Sequence, residues 1–162
     1  MQQGSLANSS GNTLEQTIVA TLVSKGFEVV QHRAWKRDPQ RYGNELLLCN
    51  VPYQSIYGHD AKTEFVIRSK KYTLEVRVEC KWQQVSGSVD EKFPYLYINC
   101  LEGMPENHVI IVLDGGGAKP GAVGWLRRAC ANKLYTLPEN QHKRIDVMSL
   151  SGFLIWANRI FR

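Results

Sequence analysis

Residues 64–81 read Glu64-Phe65-Val66-Ile67-Arg68-Ser69-Lys70-Lys71-Tyr72-Thr73-Leu74-Glu75-Val76-Arg77-Val78-Glu79-Cys80-Lys81. Glu64 to Arg68 and Tyr72 to Lys81 are two β-prone runs separated by the polar turn Ser69-Lys70-Lys71, which is the pattern of a β-hairpin. Side chains alternate across a strand, and Leu74, Val76, Val78 and Cys80 are all apolar, so they take the core face. Glu75, Arg77, Glu79 and Lys81 then share the other face. Residues two apart on a strand lie roughly 7 Å from one another, close enough for a carboxylate and an ammonium to act on one phosphate.

The preceding strand extends this surface. A short turn near Lys70 and Lys71 sets Glu64 opposite Arg77 or Glu79, and either register brings the Glu64 carboxylate beside that of Glu79. Two neighbouring carboxylates with no compensating charge are costly, and a divalent cation relieves the cost. Mg²⁺ takes one or two carboxylates plus waters and a substrate phosphate oxygen, and it lowers the pKa of a bound water. Lys81 is placed to orient that water or to stabilise the developing oxyanion. The same alternation also describes an ordinary charged, solvated strand face.

The rest of the chain narrows the choice. Its 162 residues make about one domain, with the 43% hydrophobic and 22% charged content of a soluble globular protein. A net charge of +5 favours a polyanionic partner without deciding it. Cys49, Cys80, Cys100 and Cys130 form no C-x-x-C pair and have no His at zinc spacing, so free thiols in a reducing compartment are expected. Met1 to Ser10 has neither the basic nor the apolar region of a signal peptide, and no apolar run approaches the ~18 residues of a membrane span. A cytoplasmic protein is expected.

Residues 1–12 are small, polar and uncharged and read as a disordered lead-in, leaving residues 13–162 as a single domain. Leu14, Ile18, Leu22 and Val23 fall on one helical stripe, with Thr13 as N-cap and Gly26 as stop. Residues 27–30 read as a short strand, and His32 to Tyr42 as a loop made basic by Arg33, Lys36, Arg37 and Arg41. Glu45 to Val51 is strand-like. After the hairpin, Ser86-Gly87-Ser88 signals a turn and an N-cap for a helix from Val89 to about Leu101. His108 to Leu113 is almost wholly apolar, as in a central strand buried on both faces. Ala122 to Ala131 reads as a helix, Lys143 to Met148 as a strand, and Gly152 to Phe161 as an amphipathic helix. The order is helix, the strands that end in the hairpin, helix, strand, helix, strand, helix, which predicts an α/β fold with a mixed central sheet flanked by helices.

Glu79-Cys80-Lys81, preceded by an apolar strand and an acid heading the strand before it, resembles the PD-(D/E)XK nuclease superfamily. The first helix with its acid Glu15, the hairpin, the next helix and the buried strand His108–Leu113 follow that superfamily's core order, so the likeness spans about residues 12 to 130. The stretch Glu79 to Gln84 with Ser86 to Lys92 looks like a subgroup of microbial and phage-type members. The resemblance implies a restriction-endonuclease-like fold and hydrolysis of DNA phosphodiester bonds with Mg²⁺ or Mn²⁺. By position it makes Glu79 a metal ligand, Lys81 the catalytic lysine, the Cys80 backbone carbonyl a further ligand and Glu15 a supporting acid. Gln83 joins the catalytic set if the strand continues, since some relatives carry glutamine there. The family's first acid is normally Asp, and this chain has no Pro-Asp dipeptide. Asp60 and Glu64 both have the right parity, and Glu64 is preferred because it directly heads Phe65-Val66-Ile67.

Arg33, Lys36, Arg37, Arg41, Lys70 and Lys71 are the candidates for contacting DNA, with a second subunit or a partner protein supplying specificity. Alternatives are a Holliday-junction resolvase-like nuclease and a non-catalytic nucleic-acid-binding member of the fold. Asp114-Gly115-Gly116-Gly117-Ala118-Lys119 lacks the spacing of an NTPase phosphate loop and reads as a sharp turn. Trp125, Trp156 and Phe161 sit at helical spacings and are assigned to the core or an interface, not to base stacking.

Overall fold

The computed structural model describes residues 3–162 apart from Ser86 and Ser88, with side chains from Asn12 onward. Helix α1 (Gln3–Ser24) buries Leu14, Ile18 and Leu22, one residue per turn, against the sheet. Gly26, at φ +89°, ends it: Gly26 N–H bonds Val23 O and Phe27 N–H bonds Leu22 O, a closure that needs a left-handed residue. The helix begins at Gln3 and not near Leu14, so the segment expected to be a disordered lead-in is helical from its third residue. The buried turns from Leu14 supply the costly nucleus, and extending a formed helix through Ser, Asn and Gly costs comparatively little.

The strands are β1 (Glu28–Gln31), β2 (Glu45–Gln54), β3 (Asp60–Ser69), β4 (Leu74–Trp82), β5 (His108–Asp114) and β6 (Arg144–Met148). They lie side by side in chain order. β1 runs parallel to β2, β2 to β4 form an antiparallel meander, and β4, β5 and β6 run parallel. The sheet is therefore mixed, as expected, and β1 connects to its parallel neighbour β2 through α2 (His32–Arg37). β1 is the short strand expected over residues 27–30, and its Val30 packs beside Leu46 and Leu48.

Helices cover both faces. α1 and α5 (Leu150–Ile160) close one core around Leu47, Phe65, Ile67, Val76, Val78, Ile110 and Phe153. On the other face α3 (Phe93–Ile98) and α4 (Pro120–Asn132) bury Val109, Ile111 and Ile145, while α2 (His32–Arg37) packs Ala34 and Trp35 over Leu46, Leu48 and Val66. β5 gives residues to both cores, so its reading as a doubly buried strand holds. The basic segment expected as a loop is α2 followed by a 3₁₀ turn, Pro39–Arg41. The helix expected over Val89–Leu101 is broken into a 3₁₀ turn at Asp90–Lys92, α3, and a π-turn at Asn99–Gly103 closed by Met104 N–H on Asn99 O at 2.8 Å. The N-cap expected at Ser86-Gly87-Ser88 involves Ser86 and Ser88, outside the described residues.

One distortion positions everything that follows. Cys49 packs in the α1 core, yet Val51 packs in the α2 cluster, so β2 reverses its facing at Asn50, a residue at φ 54°. β3 reverses in step: Phe65 faces the α1 core, whereas Thr63 receives a hydrogen bond from Arg77 on the opposite face. The regular pairs accordingly run to Cys49↔Phe65 and resume at Val51↔Thr63, skipping Asn50 and Glu64.

Candidate active site

β3 and β4 pair only as far as Phe65↔Val78, while β4 runs on to Trp82 along β5. Glu64, at the facing reversal, fills the gap. Its Oε2 accepts the Cys80 backbone N–H at 2.8 Å, taking the donor that a continuing β3 backbone would have accepted. The pairing register, continued by one step, puts Glu64 opposite Glu79.

Glu79 is 5% exposed. Its Oε1 pairs with the Lys81 ammonium, and its Oε2 is buried with no hydrogen-bond partner among the described residues. Burial first, and the Glu64 charge second, push its pKa up to about 7 against the opposing pull of Lys81 and Arg77. Lys81 keeps about a third of its side chain exposed. Burial works against its ammonium, but the Glu79 and Glu64 carboxylates outweigh that and hold its pKa above the ordinary value. The two carboxylates expected to stand uncompensated thus have Lys81 beside them, while Arg77, which also acts on Glu79, is ion-paired with Glu106.

Glu15 reaches the same place from α1. It lines a groove with Cys49, Asn50 and Glu64, and burial and the Glu64 charge raise its pKa. Burial and the charges of Glu64, Glu15 and Glu79 push the Cys80 thiol up, which leaves that sulfur protonated and inert. Glu15, Glu64 and Glu79 therefore form a line of acids from α1 through the strand gap to the other face of β4. Among the described residues no group of three or more His, Cys, Asp or Glu side chains is close enough to hold a metal ion by itself. Two carboxylates and a backbone carbonyl do suit Mg²⁺, which retains several waters, and the partnerless Glu79 Oε2 offers it a hard oxygen.

Other expected residues lie elsewhere. Asp60 is the exposed first residue of β3, paired across the ladder with Gln54 and hydrogen-bonded to its side chain, and its charge does not enter the set acting on Glu79. The facing reversal between Asp60 and Glu64 removes the shared parity on which it was an alternative. Gln83 lies beyond the end of β4. Its side chain is buried, donates to Val85 O at 3.0 Å and leaves Oε1 without a partner among the described residues, and it bonds neither Glu79 nor Lys81. The glycine loop packs on it so closely that a Cβ at Gly115 or Gly117 would strike the backbone of Gln83 or Gln84. Lys70 and Lys71 form the turn at the opposite end of β4 from Glu79, roughly 17 Å away at 3.4 Å per residue, and do not join the acids. Arg33, Lys36 and Arg37 line a groove of about 830 Å³ with Asn50 and Lys62. Asn50 lines this groove and the Glu15–Glu64 groove alike, so basic and acidic surfaces meet there. Arg41 ends the 3₁₀ turn beyond α2.

The sequence reading missed Arg77's role. Although it shares the face of Glu79, it is 1% exposed and pairs with Glu106, donating also to Val51 O at 3.0 Å and Thr63 Oγ1 at 2.9 Å. It clamps both strands just beyond their reversal. Its guanidinium also lies 5.4 Å from the centre of the Tyr53 ring.

The model of the PD-(D/E)XK nuclease superfamily domain matches residues 6–161, nearly the whole chain. The protein belongs to the PD-(D/E)XK nuclease superfamily, and its six-stranded mixed sheet between helices is the restriction-endonuclease-like fold. No curated protein and no solved structure matches it. Among the described residues no helix is long and apolar enough to cross a membrane.

Proposed function

We propose that the protein is a metal-dependent deoxyribonuclease that hydrolyses phosphodiester bonds at the gap between β3 and β4. The observation that carries this is Glu79: a buried carboxylate with a partnerless oxygen, pressed by Glu64 and only partly offset by Lys81. Glu64, Glu79 and the Cys80 carbonyl would hold Mg²⁺ or Mn²⁺, which when bound supplies charge neutralisation at phosphorus and a more acidic water. Lys81, held protonated, donates to the phosphoryl oxygen on which charge develops, and its position is set by its bond to Glu79. Glu64 braces β4 through the Cys80 amide, and Glu15 adds negative charge behind it. The groove lined by Arg33, Lys36 and Arg37 takes the phosphate backbone on the way to the acids.

The test is cleavage of plasmid, single-stranded and four-way-junction DNA with Mg²⁺, Mn²⁺ or EDTA. Metal-dependent cleavage that EDTA abolishes and Lys81→Ala severely reduces is the expected result. Preference for the junction would place the protein with resolvases. Binding of DNA without cleavage under any metal would make it a non-catalytic member of the fold.

A further inference from the structure

The loop joining β2 to β3 carries an exposed aromatic surface that the fold does not use. Tyr57 is 68% exposed, and its ring stacks on Tyr95 of α3 with centroids 5.1 Å apart and an interplanar angle of 27°. His59 packs edge-on against Tyr57 at 6.2 Å.

This surface is held rigidly. Ser55 Oγ accepts from the amides of Tyr57 and His59, and the Gly58 amide closes the turn on Ser55 O at 2.8 Å, with Gly58 at φ +73°. The buried Asn99 then staples the loop to α3, accepting from Ile56 N–H at 2.9 Å while donating to Tyr95 O at 3.0 Å. One amide thus fixes the segments bearing both rings. Gly103 lets the hairpin approach, since a Cβ there would lie 2.8 Å from Gln54 O. A ring fixed in this way and left in water presents its face without an ordering cost at binding.

The surface is joined to the candidate site. Tyr53, two residues before Ser55 on the same hairpin, lies over Arg77, and Arg77 and Glu79 are next neighbours on one face of β4. Burial first, then the charge of Glu79, pushes the Tyr53 hydroxyl up to about 12, with Lys81 and Tyr95 also acting on it. Tyr53 therefore feels the charges of both Glu79 and Tyr95, and it packs against the core that α3 closes.

We propose that Tyr57, backed by Tyr95, is a stacking platform for an unpaired nucleobase of the strand whose phosphate enters the Glu79–Lys81 site. The inference rests on the nuclease reading and deepens it: in a duplex the faces of interior bases are covered by their neighbours, so such a platform selects single-stranded, frayed or branched nucleic acid. Stacking of a base on an aromatic side chain contributes roughly 1–3 kcal/mol by alanine substitution, a factor of about 5 to 150 in affinity.

The experiment uses the full chain in EDTA, so that nothing is cleaved, with one oligonucleotide offered single-stranded and as a blunt duplex, each carrying 2-aminopurine. The wild type should quench the 2-aminopurine of the single strand but not of the duplex. Tyr57→Ala should weaken single-strand binding within the range above and leave duplex binding unchanged, while Tyr57→Phe keeps both, with thermal melts verifying the fold. The wild-type quenching needs no variant, so a misfolded Tyr57→Ala still leaves the test decisive. Equal losses on both DNAs, or no loss and no quenching, overturn the platform and leave the nuclease reading standing. Failure to bind either DNA overturns both.

Discussion

Replacing Glu79 with Gln removes one ionisable group and, with it, a defined part of the pH dependence of stability. In the folded protein this carboxyl keeps its proton up to about pH 7, because burial and Glu64 outweigh Lys81 and Arg77, whereas its ordinary value is 4.5. Between those values the folded state binds a proton that the unfolded chain has lost. Stability from this group is therefore complete below about pH 4.5 and falls as pH rises through about 7. The full loss is about 3 kcal/mol, and about 2 kcal/mol of it falls between pH 5.5 and 8. In a chain of this size 1 kcal/mol moves Tm by roughly 2–4 °C, so the wild type should lose about 4–8 °C more than Glu79→Gln over that window. Melts followed by circular dichroism in EDTA, with urea titrations at both pH limits, measure the difference. Millimolar Mg²⁺ at pH 8 should restore the wild type and do nothing for the variant. Parallel Tm–pH curves for the two proteins would refute the argument, since Glu79 would then be no harder to ionise folded than unfolded.

Three further outcomes follow from the same geometry. Lys81→Met removes the ammonium that opposes Glu64 at Glu79, so the Glu79 pKa should rise further. Single-turnover cleavage should fall by about 10²–10³ while DNA binding stays, and undiminished turnover would remove Lys81 from the mechanism. Arg77→Met strands the buried Glu106 and should cost about 3–5 kcal/mol in urea unfolding, with part recovered by adding Glu106→Leu; a loss under about 1 kcal/mol would contradict the clamp. Duplex binding should weaken by roughly 0.9 log unit per phosphate contact per decade of salt, and Arg33→Ala with Arg37→Ala should flatten that slope by about two contacts. An unchanged slope would take the α2 groove out of the interface.

The hairpin and its two faces are legible because four apolar residues at alternate positions, Leu74 to Cys80, admit only one facing. The doubly buried β5 is legible for the same reason. The short α2 is not, since six residues rich in charge carry too little periodicity to distinguish a helix from a loop. Parity alone admitted both Asp60 and Glu64, because alternation was assumed to run unbroken. The reversal at Asn50 and Glu64 breaks it, and a left-handed Asn inside an apolar run gives no pattern to read. Arg77 looked like a surface charge because its partner, Glu106, lies beyond an intervening helix and is brought close only by the pairing of β4 with β5.

The central claim is that Glu64 and Glu79, not Asp60, hold the metal. Mn²⁺ binding followed by electron paramagnetic resonance at pH 8, without DNA, reads it directly on the wild type, Glu64→Gln, Glu79→Gln and Asp60→Asn. The account predicts one site in the wild type and in Asp60→Asn, weakened at least tenfold (about 1.4 kcal/mol) in each glutamate variant. A site lost in Asp60→Asn but kept in Glu64→Gln, or one indifferent to all three substitutions, would contradict it.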